Sequence, residues 1–342
     1  MSRPVHLLSG DIGGTKCLLA LSRLVRTAHG VTLETVYSKR YASADWPGLE
    51  PLVRHFLQSC HSPSITAACF GIAGPIEHCG DVQHSSLTNL SWRLDSDQLS
   101  KALAIPRVEL INDFAAVAYA IDHLTADQLL TLQPGTPSDR GTRLIVGAGT
   151  GLGLAHAVTG GHGNWRILSG EGGHVDFAPT SADEIALLQY MWQRHDRVSS
   201  ERLLSGAGLA AILAFCRQQA GSDSPALLDA LQADQDPAAV ATGLALDGHD
   251  PVCSRAVELF LRIYGAYAGN AALFTLPAGG VYIAGGIAAR IPSLLRSGPF
   301  LTAFNAKGRM APLMARLPVY LIMDPSAGLL GCTQRAAKLA QH

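Results

Sequence analysis

The chain has 342 residues, 48% hydrophobic and 15% charged, with 35 glycines and 18 prolines. That length predicts two domains of about 100–200 residues each, and the composition excludes a disordered or collagen-like chain. The 26 Lys and Arg against 27 Asp and Glu nearly cancel. No basic stripe interleaves with aromatics, so nucleic acid is not an expected partner.

The opening segment reads as strand, glycine turn, strand: Val5–Ser9, then Asp11–Lys16, then Cys17–Val25. A third strand over Glu34–Tyr41, a helix over Leu49–Cys60 and a buried strand over Thr66–Ile72 complete a β-rich α/β unit. An apolar strand ends at Asn112 and a helix is expected over Ala115–Ile121. The pattern recurs at Arg143–Val158, where RLIVGA, GTGLG and LAHAV again read as strand, turn and strand, and the second unit is expected to be a structural duplicate of the first, its glycine hairpin facing the other. Helical stretches follow around 181–219 and 251–276. Then come a short strand over Val281–Ala284 with a Gly-Gly turn, a strand over Val319–Met323 and a final helix over Ser326–Lys338. Ser222–Pro225 and Asp234–Pro237 read as surface loops.

The seven cysteines, Cys17, Cys60, Cys69, Cys79, Cys216, Cys253 and Cys332, form no Cys-x-x-Cys pair. Neither a disulfide framework nor a zinc knuckle is expected, and a reducing compartment fits best. No uninterrupted apolar run of about 18 residues occurs and the opening apolar stretch is short. A signal peptide and a membrane span are therefore not expected, and the protein is placed in the cytoplasm.

Gly10-Asp11-Ile12-Gly13-Gly14-Thr15-Lys16 puts unobstructed backbone N–H groups, a hydroxyl, an ammonium and a carboxylate in one turn. Those are the parts a phosphate site needs. Gly13 and Gly14 let the backbone close on phosphate oxygens, Thr15 and Lys16 donate to them, and Asp11 can hold Mg2+ directly or through water. The P-loop pattern is absent, and an ordinary glycine-rich hairpin remains the plain alternative. Gly147–Gly153 has G-x-G-x-G-x-G spacing and is followed by a strand, whereas a dinucleotide-binding turn opens a helix. Gly149, Thr150 and Gly151 therefore read as a second phosphate hairpin.

Asn112 and Asp113 end an apolar strand just before a helix, where either could be no more than its N-cap. Glu171 and His174 lie in SGEGGHVDF among glycines that allow close approach to a ligand, against the alternatives of a solvated turn and a structural histidine. Glu201, in SERLLSG, could be a first-turn acid favoured by the helix dipole. Together these groups suit a sugar kinase: two phosphate hairpins, one candidate base, and carboxylate, amide and imidazole groups for paired hydrogen bonds to a polyol.

From residue 10 to about 330 the chain resembles the bacterial hexokinase-type glucokinases, within the superfamily that includes actin, acetate kinase and the heat-shock chaperone ATPases. The resemblance rests on GDIGGTK, GIAGP, TNLSW, INDF, GTGLG, GEGGHVDFAP, ERLLSG and YIAGGI. It implies an α/β fold of two ribonuclease-H-like (actin-like ATPase) domains with an interdomain cleft: a small domain of 1–122 plus 323–342 and a large one of 123–322. It implies ATP-dependent phosphorylation of D-glucose at the 6-hydroxyl, with Asp113 as catalytic base. Asn112, Asp113, Glu171, His174 and Glu201 would hold the sugar, and Asp11, Gly13, Gly14, Thr15, Lys16, Gly149, Thr150, Gly151, Gly285 and Gly286 the nucleotide. Mg2+ would sit on Asp11, and a homodimer is the family expectation. Lys16 stands where relatives vary, and HCGDVQHSS looks irregular. The zinc-binding cysteine cluster of the related repressor/kinase family has no counterpart here, so no structural zinc is expected. The rivals are a kinase for another hexose or an N-acetylhexosamine, and a non-catalytic sugar sensor on the same scaffold. The sensor would need an N-terminal DNA-binding helix pair, for which the position of Gly10 leaves no room.

Overall fold

The structure, a computed structural model, describes residues 5–27, 30–87, 90–160, 164–233 and 235–341. The chain divides into two compact units: Met1–Leu124 with Ile167–Ser169 and Ser326–His342, and Thr125–Arg166 with Gly170–Pro325.

In the first unit, β1 (Val5–Ile12), β2 (Lys16–Thr27), β3 (Gly30–Ala42), β4 (Ile65–Ile72) and β8 (Val108–Asn112) form a sheet of order β3-β2-β1-β4-β8. The strands β1, β4 and β8 run parallel, while β2 and β3 are antiparallel additions at one side. Strands β1 and β4 are buried on both faces, as parallel central strands covered by helices must be. Helix α1 (Leu49–Ser59) places Leu49, Leu52, Val53 and Phe56 on one stripe, and this stripe packs into a core with Leu8, Leu19 and Phe70. On the opposite face α3 (Asp113–Ala120) and the C-terminal helix Ala327–Leu339 meet through Ala115, Ala116, Cys332 and Ala336 against Leu7, Ala67 and Cys69.

The segment that looked irregular in sequence is a hairpin, β5 (Glu77–Cys79) and β6 (Val82–Ser86), extended by β7 (Arg93–Asp95) and followed by α2 (Ser96–Leu103). Gly80, at φ +63°, makes its turn. Thr88 and Asn89 of the TNLSW motif lie outside the described residues.

A second sheet is formed by β9 (Leu129–Gln133), β10 (Arg143–Ala148), β11 (Leu152–Thr159), β12 (Trp165–Gly170), β13 (Gly280–Ala284) and β14 (Val319–Ile322) in the order β12-β11-β10-β13-β14-β9. Its first five strands repeat the order of the first unit: an antiparallel pair at the glycine turn, then two parallel neighbours. Duplication is thus visible in the topology, and the fold is α/β with two actin-like ATPase domains. Five helices follow: α4 (Ala182–Trp192), α5 (Gly206–Ala220), α6 (Pro225–Gln232), α7 (Pro237–Asp247) and α8 (Pro251–Thr275). Helices α6 and α7 were not expected. Each starts on a proline preceded by a capping side chain, Ser224 or Asp236, so the segments that read as loops end in helix starts; Asp234 lies outside the described residues. The stretch around 181–219 is not continuous either, because α4 ends at Trp192 and α5 begins only at Gly206. Helix α8 is buried along most of its length, with Phe260 and Tyr264 fully enclosed. No helix among the described residues is long and apolar enough to cross a membrane.

Candidate active site

In the first unit the β1–β2 turn is closed by the Gly13 N–H donating to the Lys16 carbonyl at 3.0 Å. Ser43 braces it from outside. Its hydroxyl donates to the Gly13 carbonyl at 2.7 Å and its N–H to the Thr15 carbonyl at 3.0 Å. Thr15 and Lys16 are exposed at the tip. Asp11 is one residue from the end of β1, and a Cβ built on Gly328, in the first turn of the C-terminal helix, would lie 3.5 Å from its Oδ2. Burial pushes the Asp11 carboxyl above its ordinary range, while the positive charges of Lys16 and Arg40 oppose that shift.

Strand register sets Asp11 beside Gly71 and Gly71 beside Ile111, then Ile12 beside Ile72 and Ile72 beside Asn112. Neighbouring strands are about 4.8 Å apart. Asp11 and the Asn112-Asp113 pair therefore occupy one edge, the carboxyl ends of the parallel strands, where open α/β sheets bind ligands. Asn112 is the N-cap of α3: its Oδ1 accepts from the N–H groups of Phe114 and Ala115 at 2.9 and 3.2 Å. Its Nδ2 donates to the Gly74 carbonyl at 3.3 Å, which leaves one amide hydrogen. Asp113, half-buried, accepts the Phe114 N–H on Oδ1 at 2.9 Å. Capping therefore accounts for most of the contacts of Asn112.

In the second unit the β10–β11 turn carries Gly149, Thr150 and Gly151. The Gly149 N–H donates to the Gly151 carbonyl at 2.8 Å, and the Gly206 N–H, at the start of α5, donates to the Gly149 carbonyl at 2.9 Å. Gly285 follows β13 at φ +92° with its α-carbon pressed on β10: a Cβ there would stand 2.3 Å from the Ala148 carbonyl oxygen. Only glycine combines that φ with that approach, so Gly285 and Gly286 lie beside the turn. Beneath it the buried Tyr264 hydroxyl accepts the Ala148 N–H at 3.2 Å and faces the Val146 carbonyl at 3.3 Å.

Glu171 and His174 flank the single 3-10 turn Gly172–His174. His174 Nε2 lies 3.9 Å from Glu171 Oε2, and His174 Nδ1 lies 3.9 Å from Glu201 Oε1. The three side chains are 55%, 56% and 32% exposed for Glu171, His174 and Glu201, so they form an open polar cluster. The loop is laced to the segment bearing Glu201 by the Ser200 N–H on the Val175 carbonyl at 2.8 Å and the Phe177 N–H on the Val198 carbonyl at 3.0 Å. Arg197 adds a clamp that sequence reasoning missed. Its Nε donates to Asp176 Oδ1 at 2.7 Å and its Nη2 to the His174 carbonyl at 2.6 Å. A cation five residues past the end of α4 carries no motif, and one of its two partners is a backbone oxygen, so nothing in the sequence marks it.

Among the described residues no group of three or more His, Cys, Asp or Glu side chains is arranged to hold a metal. Asp11 is a lone carboxylate, and the cations beside it are Lys16 and Arg40. One carboxylate suits Mg2+, which keeps most of its waters and takes the rest of its ligands from substrate phosphates.

The family model described as Glucokinase matches residues 8–339. A glucokinase of Nostoc punctiforme is 43% identical over 97% of this chain and 99% of its own length. One of Synechocystis is 41% identical over 98% of each chain. Among solved structures, a glucokinase from an Antarctic psychrotroph superposes with a TM-score of 0.80 at 29% identity, covering 97% of this chain and 99% of that one. A Balamuthia mandrillaris glucokinase in complex with glucose shares the fold, with a TM-score of 0.76 at 21% identity over 98% and 94% of the two chains.

The class defined by the duplicated sheet and these relatives is the sugar kinases built on two actin-like ATPase domains. Within that class, the chain belongs to the glucokinase family.

Proposed function

We propose that the chain transfers the γ-phosphoryl group of ATP to the 6-hydroxyl of D-glucose, using the residues described above. The observation that carries the reading is the convergence of Glu171, His174 and Glu201 within 3.9 Å steps on an open surface, where each can pair with a vicinal hydroxyl. Asn112 adds its remaining amide hydrogen. Asp113, at the carboxyl edge of the parallel strands, accepts the proton of the attacking hydroxyl. A carboxylate suffices there, since the transition state of phosphoryl transfer is loose and the proton moves late. Gly13, Gly14, Thr15 and Lys16 in one hairpin and Gly149, Thr150 and Gly151 in the other hold the phosphates through backbone N–H groups, a hydroxyl and an ammonium. Gly285 and Gly286 leave room for the adenosine side. Asp11 would hold Mg2+, which when bound neutralises phosphate charge. The reading extends to a homodimer in the cytoplasm, which rests on the family alone.

The test is a coupled assay of purified protein with ATP and Mg2+ against a panel of hexoses and N-acetylhexosamines, with ADP and polyphosphate as alternative donors. Glucose with ATP is expected to give the highest kcat/KM. A higher value for another sugar or donor overturns that assignment.

A further inference from the structure

Glu201 uses its two oxygens in two directions. Oε2 accepts the N–H of Leu152, the residue that closes the β10–β11 turn, at 2.9 Å. Oε1 faces His174 and the open cluster. The contact with the turn is intimate, since a Cβ on Gly151 would stand 2.6 Å from Oε2. The turn's own backbone is also tied by the Gly149 N–H on the Gly151 carbonyl and the Gly206 N–H on the Gly149 carbonyl. The carboxylate is therefore a strut between a turn suited to phosphate and a cluster suited to a sugar.

We propose that Glu201 couples the two binding events, so that glucose tightens nucleotide binding and nucleotide tightens glucose binding by the same factor. This rests on the reading of the turn and the cluster given under Proposed function. Two effects act in the same direction. A sugar hydroxyl donating to Oε1 fixes the carboxylate torsion, so the Leu152 N–H bond and the turn are ordered before the phosphates arrive. The same hydroxyl also draws off part of the negative charge that an incoming polyphosphate would otherwise meet beside the turn.

The test is calorimetric titration of the full chain with a non-hydrolysable ATP analogue and Mg2+, with and without saturating glucose, alongside glucose titrated alone. For the native protein, glucose is expected to lower the analogue Kd by about 5-fold or more, the lower end of ordinary coupling. Gly151→Ala displaces Oε2 without adding or removing a group that faces the cluster. It is expected to raise the glucose Kd in the absence of nucleotide and to bring the tightening factor towards one. Should Gly151→Ala fail to fold by circular dichroism, Glu201→Gln and Glu201→Ala replace it. The amide keeps an acceptor for Leu152 and is expected to retain the tightening at saturating glucose, while the alanine loses it. A native protein that binds glucose with no tightening overturns the coupling and leaves the kinase reading standing. So does a Gly151→Ala variant with unchanged glucose Kd or undiminished tightening, or a Glu201→Ala variant that keeps the tightening. A native protein that binds no glucose overturns both.

Discussion

Burial raises the Asp11 carboxyl above its ordinary range, which works against the anion that the proposed role needs. The stability this residue contributes is complete below its unfolded pKa and is lost as the pH rises through its higher folded pKa. At pH 7 the ionised group therefore weighs against the fold. Asp11→Asn is expected to raise the melting temperature at pH 7 by about 2 °C while raising the KM for ATP with Mg2+, the usual opposition of stability and activity at a site. Differential scanning fluorimetry and steady-state kinetics read both, and a lowered melting temperature contradicts the account. Asp113 differs in kind, because its Oδ1 caps locally at the Phe114 N–H while its place just past the end of β8 is the basis of the chemical role proposed for it. Asn112 shows the same overlap: its Oδ1 contacts with the Phe114 and Ala115 N–H groups are a helix cap, and losing them costs roughly 1 kcal/mol whatever the residue does for a sugar.

The β10–β11 turn and the end of β13 hold their geometry through backbone contacts, and glycines there differ sharply in what they tolerate. At Gly285 a methyl group meets the Ala148 carbonyl at 2.3 Å on a backbone at φ +92°. Gly285→Ala is expected to destabilise the chain by about 2–4 kcal/mol from combined strain and overpacking. At Gly149 no atom stands within 4 Å of the Cβ position, so Gly149→Ala is expected to leave the melting temperature within about 1 °C. Similar losses for the two variants would contradict this account of the turn. The glycine hairpins were legible in sequence because each is a polar, glycine-rich turn between two apolar runs. The β5–β6 hairpin was not, because HCGDVQHSS has no apolar alternation and pairs along polar edges instead. Helices α6 and α7 were hidden by prolines that look like loop markers yet occupy first-turn positions. Glu171, His174 and Glu201 stood out as unusual polar residues among glycines or at a helix start. The link from Glu201 to Leu152 spans 49 residues and ends on a backbone N–H, so no local pattern encodes it.

Across the whole chain one strand order occurs twice, with a glycine turn at the same place in each copy. The proposed labour is divided between the copies: Asp11, Asn112 and Asp113 belong to the first unit, and Glu171, His174 and Glu201 to the second. Each unit has its own buried core. Glucose at a hundredfold excess over its Kd is expected to add about 2.7 kcal/mol to the species that carries the cluster. Calorimetry should show an upward shift that Glu171→Ala abolishes, and a shift that survives this change contradicts the sugar cluster.

The central claim is that Asp113 acts on the proton of the sugar hydroxyl and, though it touches the sugar, adds little to glucose affinity. Comparing kcat and glucose Kd between the native protein and Asp113→Asn, which preserves shape and an acceptor for the Phe114 N–H, tests it most directly. The account predicts a fall in kcat of about 10²- to 10⁴-fold with the glucose Kd changed by no more than a few-fold; an unchanged kcat would contradict it.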